Sequence, residues 1–322
     1  MRTHQILGAL AATTLASLAL TACSTDGADS TDAGADGGAS VVATTTPLGS
    51  VTAQIAECAD GQATTLMPVG ADPHDFSASS AQIADLAKSD LVVANGLGLE
   101  GGLDAALTQA EEDGVEVLHV AENVDPLPFG EEESHEGHEG HEGHDHGDLD
   151  PHFWLDAARM ASAAELIGAR VAEISGDQTW ADCGTEVGSE LTALDGELRE
   201  TLAAVPEDRR TIVTDHDAFG YFTHAYDFSS AGVVVPGGST EAEPSSQELA
   251  ALADVITEEG VPAIFSNTAV NPGLVDALAA EVGENVTVVP LYVGSTGEEG
   301  SPAGDYQGMM RENARLIVDA LG

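Results

Sequence analysis

Apolar residues along this chain come in short unbroken runs separated by longer stretches with helical spacing. In the first half the runs are Ser40 to Thr46 (SVVATTT), Ala63 to Met67, Leu91 to Asn95 and Val115 to Val120. Pro47 suits the first turn of a helix after the first run, and further helices are predicted from about Ser79 to Lys88 and Leu103 to Asp113. The rhythm returns with strands at Thr211 to Thr214, Ala231 to Val235, Pro262 to Ser266 and Val286 to Pro290. Helices are predicted after His216, over Ser246 to Glu259 and from about Pro272 to Val282. Strands that are apolar throughout, rather than alternating, are buried on both faces, which indicates parallel sheets covered by helices. Two α/β lobes are therefore expected, at 41–178 and 206–322. Between them 179–205 has Val187, Leu191, Leu194 and Leu198 at spacings of three and four and no proline before Pro206. That pattern predicts one long linker helix, a stiffer connection than several flexible strands.

The chain starts differently. Arg2 precedes an apolar stretch from Ile6 to Leu20, too short to span a bilayer comfortably, so residues 1–22 read as an export signal. Its end, Leu20-Thr21-Ala22-Cys23, resembles the lipobox of bacterial lipoproteins. That resemblance implies lipidation of Cys23 and an extracytoplasmic protein anchored to the outer face of the cell membrane. The other reading is an ordinary cleaved signal with an incidental cysteine. Residues 23–40, rich in Asp, Gly, Ser and Ala, cannot bury apolar surface and are expected to be a flexible tether.

Charge narrows the function. Against 56 acidic residues stand 9 Lys plus Arg, a net charge of −47. Such a surface repels phosphates, so nucleic acid is not the expected partner, while cations are drawn to it in general. Most of this acidity is accounted for as a solubilising surface. With Cys23 assigned to lipid, Cys58 and Cys183 remain as an even pair in an oxidising compartment, and a disulfide between them is the preferred reading; two buried free thiols are the alternative. Neither has the CxxC spacing of a thiolate metal site.

The chemistry lies with histidine. Asp-Pro-His occurs at Asp72-Pro73-His74 and at Asp150-Pro151-His152. Proline fixes its own φ and keeps the residue before it out of the helical region, so each histidine is presented from a stiff turn. A third, His216, stands just past the strand Thr211 to Thr214, preceded by Asp215. The neighbouring carboxylates of Asp72, Asp150 and Asp215 are suited to orient the rings from behind. Ligands in open α/β sheets bind at the C-terminal ends of strands, so two facing lobes could bring the three imidazoles together. Immediately before Asp150 lies a tract carrying His135, His138, His141, His144 and His146 within repeated His-Glu-Gly. Glycine at every third position disfavours a helix, so 131–149 is expected to be a mobile loop that binds metal weakly, or an inert solvated loop. His119 and His224 are read as structural, and Glu241 and Glu243 as structural or supporting groups.

Together PVGADPHDF, the histidine-rich insert, DPHFWLDAARM, TDHDAFGYF, STEAEPSS and GDYQGMMRENARLI resemble the zinc/manganese substrate-binding lipoproteins of ABC importers, the ZnuA- and TroA-like proteins. The resemblance runs over nearly everything after Ser40. It implies two α/β lobes joined by a long helix, a monomer holding metal in its cleft, and an ABC permease with a cytoplasmic ATPase as partner. Carried over, the family's ligands fall on His74, His152 and His216. The family's fourth, carboxylate ligand falls on Gly294, so Glu298 or a water is expected to complete the shell, with Glu299 a further substitute. Three imidazoles and one oxygen suit tetrahedral Zn²⁺, whereas manganese prefers more carboxylate oxygens. Manganese-type members carry an acidic residue where His216 stands. The expectation is thus a zinc-capture protein with no catalytic residues; manganese is the alternative of the same type. An extracellular zinc hydrolase is the alternative of a different class, disfavoured by the lack of an HExxH motif.

Overall fold

The computed structural model describes residues 38–129, 149–240, 242–283 and 286–322. The first sheet is built from β1 (Ser40–Ala43), β2 (Gln62–Thr65), β3 (Leu91–Ala94) and β4 (Glu116–His119), with α1 (Thr46–Cys58), α2 (Ser80–Leu86) and α3 (Asp104–Glu112) as its crossovers. Two helices follow, α4 (Ala157–Ser175) and α5 (Thr179–Leu202). The second sheet consists of β5 (Thr211–His216), β6 (Ser229–Val235), β7 (Ala263–Asn267) and β8 (Thr287–Leu291), linked by α6 (Gly220–Tyr226), α7 (Ser246–Glu259) and α8 (Gly273–Val282); α9 (Tyr306–Leu321) closes the chain.

Both sheets are wholly parallel, ordered β2-β1-β3-β4 and β6-β5-β7-β8. The order reverses direction beside β1 in one lobe and β5 in the other, which opens a crevice at the strand ends of each. The fold is thus the expected pair of α/β lobes. No described helix is long and apolar enough to cross a membrane.

Packing explains how the lobes are held. α5 buries Trp180, Val187, Leu191, Leu194, Leu198 and Leu202 along one stripe. It does not stand alone as a connector. α4 lies against it, with α1 and α9 also packed on α5. The α4–α5 contact is made by small residues: a Cβ on Gly184 would lie 2.9 Å from the Gly168 Cα and 2.8 Å from the Ala164 carbonyl oxygen. The α4 helix was not evident from large apolar residues because its buried face is chiefly alanine and glycine. Asp156 caps its start by accepting the Ala158 N–H at 2.9 Å, and Gly176, at φ +74, ends it. A disulfide joins Cys58, at the end of α1, to Cys183 on α5 across 125 positions of sequence.

One continuous apolar core runs from Val41 and Leu91 through Ile167 and Leu191 to Phe265 and Ile317, so the inner layers of both lobes share it. Each sheet has a separate outer cluster, around Val92 and Leu103 in the first lobe and Ile264 and Ile256 in the second. The cleft between the strand ends sits over this common core.

Candidate metal centre

Three chain segments deliver the histidines. His74 lies in the loop from β2 to α2, where its backbone N–H donates to Asp72 Oδ1 at 3.1 Å. His152 follows the segment returning from the histidine tract; Asp150 Oδ1 accepts both its backbone N–H, at 2.9 Å, and its ring Nδ1–H, at 2.8 Å. His216 is the last residue of β5, and Asp215 Oδ1 takes its backbone N–H and ring Nδ1–H in the same manner, both at 2.9 Å. With Nδ1–H donating backward, the Nε2 lone pairs of His152 and His216 face forward. His74 Nε2 lies 3.2 Å from His152 Nε2.

The three ring centroids form a near-equilateral triangle of 5.3, 5.4 and 5.5 Å, and one nitrogen of each ring lies within 4.8 Å of the others. His74 is 9% exposed and the other two 1%. Imidazole nitrogens crowded this closely suit a cation between them. The fold determines the supporting bonds. Asp215 Oδ2 accepts the Asn267 N–H at 2.7 Å from the adjacent strand end, and Tyr221 donates its hydroxyl to the Asp150 carbonyl at 2.8 Å. Thr240, in the loop after β6, donates to Asp72 Oδ2 at 2.5 Å and so ties the second lobe to the His74 turn.

Burial dominates the electrostatics. It pushes the Asp150 carboxyl up to about 7 and holds His152 well below the usual imidazole range, where neighbouring His216 acts in the same direction. Burial also raises Asp72, against the bonds from Thr240 and the His74 N–H. A dication at the imidazoles would favour the charged carboxylates behind them.

Glu298 does not join the cluster. It is exposed, and the described group of converging ligand atoms contains no carboxylate. The loop turns on its own backbone bonds, from Gly297 N–H to Ala303 O at 2.7 Å and from Ser301 N–H to Glu298 O at 3.0 Å, which faces both Glu298 and Glu299 to solvent. At Gly294 the space a side chain would enter is filled: a Cβ there would lie 2.7 Å from the Pro73 Cδ. The segment around Gly294 is gripped by the first lobe, through Trp154 Nε1 to Val293 O at 2.8 Å and Gly70 N–H to Ser295 Oγ at 2.8 Å.

His119 is paired with Glu111 at 3.3 Å and His224 is exposed on α6; neither is near the triad's shared point. Glu243 lines a cavity of about 430 Å³ together with Asp215 and Thr240. Cys23, Glu241, His135, His138, His141, His144 and His146 lie outside the described residues, but Pro128 and Leu149 pair across an antiparallel bridge directly before Asp150. Sequence reasoning missed Trp154, Tyr221, Asn95 and Thr240, whose partners are distant in sequence. Only the DPHFW run hinted that an aromatic would stand beside His152, and the Trp154 ring lies 5.3 Å from it.

Comparison with known proteins identifies the family and the fold. Residues 41–320 match the family described as zinc-uptake complex component A, periplasmic (ZnuA). The manganese-binding lipoprotein MntA of Bacillus subtilis (strain 168) is 32% identical over 329 residues, covering 98% of this chain and 99% of that protein. The zinc-binding protein TroA of Treponema pallidum (strain Nichols) is 30% identical, covering 91% and 92%. The solved structure of the periplasmic zinc-binding protein TroA from Treponema pallidum superposes with a TM-score of 0.76 at 28% identity, covering 89% of this chain and all of that one. Matched nearly end to end in sequence and in fold, the chain belongs to the ZnuA family, the metal-binding substrate-binding components of ABC importers.

Proposed function

We propose that the chain captures Zn²⁺ on His74, His152 and His216 and hands it to an ABC permease driven by its cytoplasmic ATPase. The observation that carries zinc is the donor set. Three buried imidazole nitrogens converge with no carboxylate among them, which suits a small borderline cation in four-coordinate geometry, its fourth position taken by water. In this reading the protein works as a monomer outside the cytoplasm, held to the membrane by lipid on Cys23 and tethered through 23–40. The tract from His135 to His146 gathers zinc beside the cleft without forming the tight site. The protein performs no chemistry on the metal.

Manganese is the second reading, favoured by the name of the Bacillus subtilis relative. Manganese prefers oxygen donors, and the triad offers none of its own. Equilibrium dialysis of the metal-free protein against Zn²⁺ alone and against Mn²⁺ alone separates the two, since zinc outcompetes manganese at most sites when both are offered. One tightly held zinc and no tightly held manganese is the expected result; one manganese held tightly when offered alone would overturn the assignment.

A further inference from the structure

Behind His152 lies a polar arrangement that the triad itself does not require. Glu100 is 2% exposed, and its carboxylate accepts the Thr44 hydroxyl and the Asn95 N–H, each at 2.6 Å, and the Gly96 N–H at 3.1 Å. It thereby joins the ends of β1 and β3, the two neighbouring strands where the sheet order turns. In the next residues Gly96 and Gly98, at φ of +90 and +75, take a backbone open to glycine, but Leu97 between them, at φ +52, is strained, since a leucine rarely adopts such a backbone.

Asn95 is held at the head of this loop, fully buried. Its Nδ2 donates to the Pro151 carbonyl at 2.9 Å and to the Gly96 carbonyl at 3.3 Å. Its Oδ1 is buried with no hydrogen-bond partner among the described residues. Turning the amide over would set oxygen against two carbonyl oxygens, so this orientation is fixed. An asparagine that leaves one end unsatisfied is a poor choice for filling space. What it supplies is a donor to Pro151, the residue between Asp150 and His152, whose own nitrogen carries no hydrogen.

We propose that Asn95, locked in place by Glu100, is a positioning residue for His152: it sets the peptide of the Asp150-Pro151-His152 turn and so the direction of the ring's Nε2. The inference rests on the reading of the triad as a zinc site. Asp150 fixes the ring about its own bonds, while Asn95 fixes the backbone from which it projects. Outer partners of this kind tune affinity without touching the metal.

The test uses the full chain as Asn95→Ala and the near-isosteric Asn95→Asp, which cannot donate when ionised. Asn123→Ala serves as a control, removing a similar bond, to the His119 carbonyl, elsewhere in the lobe. Zinc affinity is read by competition with a chromophoric chelator, and geometry by the visible spectrum of bound Co²⁺. Both Asn95 variants are expected to bind one metal about tenfold or more weakly, with an altered cobalt spectrum, while Asn123→Ala matches wild type. Unchanged affinity and cobalt spectrum in folded Asn95 variants, with only a lower unfolding temperature, would overturn the positioning role. If His152→Ala abolishes tight zinc binding in the same assay, that failure belongs to Asn95 alone; if His152→Ala binds as wild type does, the zinc reading falls and this inference with it.

Discussion

His152, as fully buried as His216, is backed by Asp150 and flanked by Trp154. Its ring is held well below the usual imidazole range by burial first and by His216 second. Because its folded pKa lies below the unfolded value, its neutral form contributes stability above the unfolded pKa, and that contribution is lost as pH falls through the interval beneath it. Metal binding runs the same way, since only neutral imidazoles can ligate and protons compete for the same lone pairs. Zinc affinity should therefore fall as pH drops, first as Asp150 behind the ring takes up its proton below about 7 and then, beneath the usual imidazole range, as protons compete at His152 itself. Chelator competition from pH 8 to 5 would check this; affinity that holds constant throughout would count against imidazole ligation. At this level the sequence was informative where chemistry is local. Two Asp-Pro-His turns and an Asp-His at a strand end could be read directly, each carboxylate being within two positions of its histidine. That Glu298 faces solvent could not be read from the sequence, because the course of the 297–304 loop depends on backbone bonds that composition does not reveal. Asn95 was overlooked because its partner, Pro151, is 56 positions away.

Among the helices and strands, eight parallel strands could be read from apolar runs, with ends displaced by at most three residues. The runs overshoot where the C-terminal residues leave the ladder to serve the cleft, as Thr44 does in bonding Glu100. α4 and α9 were not predicted. The buried side of α4 is chiefly alanine and glycine, chosen by the close approach of α5, so the usual stripe of large residues is missing. The Cys58–Cys183 disulfide fastens α1 to the start of α5 and closes a loop of 125 positions. Cross-links over long loops stabilise chiefly by restricting the unfolded chain, typically by about 2–5 kcal/mol. A Cys58→Ser, Cys183→Ser variant should lose stability of that order in urea denaturation yet keep its zinc affinity, because the bond lies away from the triad. Equal stability with weakened zinc binding would reverse this assignment.

For the molecule as a whole, the shared core that runs through both lobes argues for small adjustments at the cleft rather than wide opening, since packed cores resist continuous deformation. Cleft contacts then become the natural points of control: Thr240 on Asp72, Pro73 over Gly294 and Trp154 on Val293 each cross between lobes beside a histidine. A net charge of −47 draws cations broadly, and in the proposed reading selection among them falls to the three nitrogen donors. Competitive zinc titration of the wild-type chain, a deletion of residues 135–146, and the His74→Ala, His216→Ala double variant decides whether the cleft is the working site. The deletion should keep one tight zinc and the double variant should lose it. A double variant that keeps the tight site, together with a deletion that loses it, would show that the histidine tract binds the metal and that the triad does not.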